Sequence, residues 1–92
     1  MNTFIRTKLE GFTTLAQVLE FGTMVALHGG YSAESIAQVL GVALVMIRKR
    51  PKRAYRLRTA IVACCDAYHA HESDQSVRTK LEEIRQWLAD HP

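Results

Sequence analysis

Seven of the chain's twelve lysines and arginines fall within eleven residues: Arg48, Lys49, Arg50, Lys52, Arg53, Arg56 and Arg58. No Asp or Glu interrupts them. The whole chain carries only +3, so this segment holds +7 and the other 81 residues sum to −4. Cations packed this densely repel one another, and a polyanion relieves the repulsion; a phosphate backbone is the simplest such partner. A merely solvated charged face is the plain alternative. Tyr55 is the one aromatic inside the run and reads as a core residue. The stacking aromatics of single-strand binders are missing, which favours duplex DNA over RNA.

Other reactive residues are sparse. Cys65 and His69 stand four apart on one helical face, with Cys64 and His71 nearby. Tetrahedral zinc needs four converging ligands, and this spacing supplies two, so no metal is expected. No Asn or Asp is recognisable as the orienting partner of a Cys–His pair. Glu82 and Glu83 lie on a polar helix face, and Gly29-Gly30 reads as a helix stop rather than a nucleotide cradle. The expectation is a protein that is not an enzyme and carries no cofactor.

Ninety-two residues, 48% of them apolar, suffice for one domain over residues 1–92. A core this small gains from burial against a second copy. The N-terminus lacks the apolar core and cleavage site of an export signal. The longest nearly uncharged apolar run, residues 39–47, has nine residues, against roughly 20 for a bilayer span. Adjacent Cys64 and Cys65 point about 100° apart on a helix and cannot bond to each other comfortably. A cytoplasmic protein with reduced thiols and no membrane partner is expected.

The elements that must position the cations read as all helical; no segment alternates apolar and polar residues over a useful length. Expected helices cover residues 3–10, 13 or 14 to 28, 33–40, 43–50, 52–70 and 76–89. Thr13 or Thr14 caps the second, Ser32 the third, and Pro51 stops the fourth. Gly29-Gly30 ends the second helix. The fifth shows Tyr55, Leu57, Ile61, Val62, Cys65 and Tyr68 on overlapping faces. In the last, Val77, Leu81, Ile84 and Leu88 form a narrow stripe beside Trp87, fit either for a dimer seam or for folding back on the core. The fold class expected is an all-α bundle of five to six helices.

Residues 33–50 have the spacing of a helix-turn-helix unit. Ala37 is the small residue where two helices cross, and Gly41, four later, accepts a turn conformation. Ile36, Leu40, Val42 and Ile47 are the apolar positions that lock such a pair. Here the sequence resembles the bacterial and phage helix-turn-helix regulators, in which a pattern like T-x-x-x-I-A-x-x-L-G-V-S-x-x-x-V recurs. Residues 32–47 read S-A-E-S-I-A-Q-V-L-G-V-A-L-V-M-I. The resemblance implies that residues 43–50 form a recognition helix in the major groove. Arg48, Lys49 and Arg50 would then face bases or phosphates, and Lys52, Arg53, Arg56 and Arg58 mainly phosphates. Ser32 and Gln38 would add backbone contacts. The sequence departs from the pattern at Ala43, which cannot cap, and at Leu44 and Val45, which can touch thymine methyls but form no hydrogen bond. The same residues also fit one continuous helix through the core, with Gly41 costing roughly 1 kcal/mol.

The function expected from these features is a small sequence-specific DNA-binding transcriptional regulator of repressor type, of phage or plasmid kind. It would act as a homodimer with recognition helices about 34 Å apart. The alternative is an inhibitor or adaptor that docks an acidic protein through the basic patch, with Leu44 and Val45 as an apolar anchor.

Overall fold

Four of the helices begin where a short polar side chain accepts from the first free N–H groups. In a computed structural model of the chain, which describes residues 2–92, Asn2 Oδ1 accepts from Ile5 N at 3.2 Å and opens α1, Thr3–Gly11. Thr14 and Gln17 form a reciprocal capping box at the start of α2, Leu15–His28. Ser32 Oγ accepts from Ser35 N at 3.2 Å and opens α3, Ala33–Lys49. Asp74 caps α6, Gln75–Asp90, through Ser76 N and Val77 N. Between α3 and α6 lie α4, Pro51–Arg56, α5, Arg58–Ala67, and a 3₁₀ turn, His69–His71. No strand occurs among the described residues. The all-helical bundle expected from the sequence is what forms.

The turn expected at Gly41 is absent. Ala33–Lys49 is one unbroken helix, so residues 33–50 do not fold as a helix-turn-helix unit. Ile36, Val39, Leu40, Ala43, Leu44 and Ile47 recur at three- and four-residue steps and are all buried. Burying each large side chain stabilises by roughly 1.5–3 kcal/mol, whereas one glycine inside a helix costs about 1 kcal/mol. A single apolar face running through Gly41 therefore outweighs the local preference to stop. Backbone with positive φ occurs at Gly29 (75°) and Gly30 (79°), where α2 ends.

The helix expected over residues 52–70 is divided. Leu57 takes φ −99° and ψ 17°, in the bridge region, and the chain bends there between α4 and α5. α4 is held by Ala54, which is fully buried, and its other side faces solvent. Tyr55, expected in the core, is 54% exposed as a result.

α3 is the central element, packed on α6, α2 and α1, while α2 also packs on α5. The stripe Val77, Leu81, Ile84 and Leu88, with Trp87, is buried inside the chain. Of its two expected roles it takes the core one, and no dimer seam is left on it. α2 meets its neighbours closely at Gly22, where an added Cβ would stand 3.2 Å from both Tyr68 Oη and Val39 Cγ1. The molecule measures 34 × 29 × 17 Å; its short dimension is that of two helix layers, each about 10 Å thick.

Candidate nucleic-acid interface

Pro51 organises the basic run. The residue before a proline is pushed out of the helical region, and Arg50 takes φ −136° and ψ 74°. α3 therefore ends at Lys49, and α4 restarts with Pro51 at its first position, where a missing N–H costs nothing. Arg48 and Lys49 occupy the last turn of α3, whose negative dipole end favours cations. Arg50 stands at the junction, and Lys52, Arg53 and Arg56 project from α4.

The seven cations have different roles. Arg58 is half-buried and its Nη1 donates to the carbonyl oxygens of Leu88 (3.1 Å) and His91 (2.6 Å). It closes the C-terminus of α6 rather than facing a partner. Arg48 pairs with Glu83 of α6 at 3.5 Å. Lys49, Arg50, Lys52, Arg53 and Arg56 are exposed, and among the described residues none of them has a carboxylate within 4.0 Å. Lys49, Arg50 and Arg53 surround a cleft of about 250 Å³, whose other wall is Thr13 and Thr14 at the start of α2, with Met46 between.

The remaining candidates separate from this cluster. Leu44 is 2% exposed and belongs to the core, so it makes no groove contact and anchors no partner. Ser32 exchanges hydrogen bonds with Ser35 as the cap of α3. It lies 17 residues before Lys49, about 25 Å along the axis at 1.5 Å per residue. Gln38 is half-buried, about 16 Å from Lys49 by the same measure. Val45 is 58% exposed but sits in an apolar groove with Gly41 and Val42. Thr13, Thr14 and Met46 were missed as neighbours of the cations. Nothing in the local spacing marks the two threonines, because that contact joins residues more than thirty positions apart; Met46 stands three residues before Lys49 on α3, so helical spacing alone could have marked it.

The sulfur and imidazole groups make no reactive set. Burial pushes the Cys64 thiol up to about 12 and the Cys65 thiol up to about 11, so both stay protonated near neutrality. His71 Nε2 stands 2.9 Å from the Ala26 carbonyl oxygen, and His69 Nδ1 stands 3.2 Å from Glu72. Among the described residues no three His, Cys, Asp or Glu side chains converge, and no helix is long and apolar enough to cross a membrane.

No protein-family model, curated protein or solved structure matches this chain. The likeness of residues 32–47 to helix-turn-helix regulators is one of sequence pattern only, since Ala33–Lys49 forms a single helix without the turn.

Proposed function

We propose that the chain is a small duplex-DNA-binding protein that holds phosphates with Lys49, Arg50, Lys52, Arg53 and Arg56 and regulates by occupying its site. One observation carries this reading. Five exposed cations share one helix junction, and among the described residues no carboxylate lies within 4.0 Å of any of them. Releasing the counterions of a phosphate backbone supplies affinity to such a cluster without any base contact.

Selection of an operator requires more. Guanidinium groups can pair bidentately with guanine in the major groove. An α-helix with its side chains is about 10–12 Å across, which a major groove roughly 12 Å wide admits. α4 presents Arg53 and Arg56, with Tyr55 exposed between them. Base readout is assigned to α4 and Arg50, since the buried middle of α3 offers no reading surface.

The test is fluorescence anisotropy with a labelled random-sequence duplex between 50 and 200 mM salt. Five phosphate contacts give a slope of log K against log salt of about −4.5, a loss of roughly 500-fold over that range. Failure to bind at 50 mM salt would overturn the DNA reading and leave an acidic protein as the partner of the patch.

A further inference from the structure

Gly41 stands in the middle of α3 with no reason inside the chain. Its φ is not positive. A Cβ added there would meet only Lys80 Cε, at 3.8 Å, near the end of a flexible surface side chain. Glycine is less favourable than alanine in a helix interior, so α3 gives up stability where its own packing asks for nothing. Gly22 is the contrast, since Tyr68 and Val39 crowd it from within. Bare backbone at an outward position serves the close approach of something outside the chain.

The surroundings of Gly41 name that partner. Gly41 lies in a shallow groove with Ala37, Gln38, Val42, Val45 and Met46, and Lys80 of α6 at its edge. Along α3, Glu34, Gln38, Gly41, Val45 and Arg48 follow at three- and four-residue steps and form one ridge. The charge of this ridge is antisymmetric about Gly41: Glu34 stands seven residues before it and Arg48 seven after. Among the described residues Glu34 makes no ion pair, and the one carboxylate near Arg48 is Glu83 at 3.5 Å.

We infer that this face is the seam of a homodimer, in which α3 packs antiparallel on α3 of a second copy about a two-fold axis at Gly41. A two-fold axis sets residue 41 − n opposite residue 41 + n. Ala37 of each copy then meets Val45 of the other, and Glu34 of each meets Arg48 of the other. The bare backbone at the centre lets the helices reach the short end of the 8–10 Å packing range. A parallel arrangement would oppose Glu34 to Glu34 and Arg48 to Arg48, so the charges fix direction as well as register. The ridge from Glu34 to Arg48 spans about 21 Å of helix. This seam does not rest on the DNA reading, and none of its tests uses DNA.

Sedimentation equilibrium on the full chain at 5–200 µM, a range of about 40-fold chosen to bracket weak association, is the first measurement. The expected mass is about 21 kDa, twice the 10.4 kDa of one chain. Gly41→Leu is expected to yield a folded monomer whose helical circular dichroism matches that of the parent and whose melting temperature no longer depends on protein concentration. Glu34→Lys and Arg48→Glu are each expected to weaken the dimer at least tenfold. An equimolar mixture of these two variants is expected to restore it, because the heterodimer regains opposite charges at both ends. A monomeric parent chain at 200 µM, a dimer indifferent to Gly41→Leu, or a mixture no more dimeric than its components would overturn the inference.

Discussion

Arg58 and His91 are thirty-three residues apart in sequence, yet the guanidinium of Arg58 donates to the carbonyl oxygen of His91 at 2.6 Å and to that of Leu88 at 3.1 Å. A residue of the basic run thereby satisfies carbonyls at the end of α6, which no intrahelical donor reaches. The density of positive charge around residues 48–58 thus contains two populations, one that fastens the fold and one that faces solvent.

Substitution should separate them. Hydrogen bonds from a charged donor contribute about 1.5–3 kcal/mol, and the site is half-buried, so Arg58→Ala is expected to lower stability by about 1–2 kcal/mol. Urea unfolding checks the loss. DNA affinity of the folded Arg58→Ala protein should stay within about twofold of the parent, a difference under roughly 0.5 kcal/mol.

Lys49→Ala and Arg53→Ala should behave oppositely. Both side chains are exposed and, among the described residues, have no carboxylate partner. Exposed substitutions of this kind change stability by less than about 0.5 kcal/mol. Each should reduce the salt slope of DNA binding by about 0.9. A slope that stays at the parent value in both variants would place the phosphate contacts elsewhere.

The two helix glycines give a pair of opposite signs. At Gly22 a methyl group would crowd Tyr68 Oη and Val39 Cγ1 at 3.2 Å in a packed interior. Overpacking there is expected to cost about 1–3 kcal/mol. At Gly41 the space is open, and Gly41→Ala should stabilise the isolated chain by about 0.5–1 kcal/mol. Denaturation at a concentration low enough that parent and variants are monomeric compares the two.

Alkaline pH should weaken the fold. The folded-state thiols of Cys64 and Cys65 lie at about 12 and 11, above the ordinary 9.0, because burial disfavours the thiolate, and burial raises the Tyr68 phenol in the same direction. The unfolded chain begins to lose these protons near pH 9 while the folded chain keeps them. Stability is therefore full below pH 9 and falls as pH rises through 11 to 12. Urea midpoints at pH 7, 9.5 and 10.5 are expected to decrease in that order. Replacing both cysteines by alanine should flatten the slope between pH 9 and 10.5.

Tyr68 carries a fully buried hydroxyl with no hydrogen-bond partner. Leaving a polar group unpaired in the interior is unfavourable, and its removal in a side chain of the same shape is close to neutral or stabilising. Tyr68→Phe should therefore melt at or above the parent temperature. A lower melting temperature would mean that the hydroxyl is satisfied by water.

What the sequence alone determined are the features set within one or two helical turns. The cap at Ser32, a start for α2 at Thr13 or Thr14, the stop at Pro51, the double-glycine end of α2 and the apolar stripe of α6 all follow from side chains a few positions apart, whereas the choice of Thr14 and the burial of that stripe came with the tertiary structure. The density of charge at residues 48–58 was equally plain. Tertiary structure decided the rest, because burial and charge pairing join residues far apart in the chain. Gly41 was a turn on local grounds, and only the shared core with α1, α2 and α6 made α3 continuous through it. Leu44 passed from a groove contact to the core for the same reason. The split of the basic run was decided by where α6 ends, since Leu88 and His91 claim Arg58 while Glu83 claims Arg48. The five cations left over define the candidate surface.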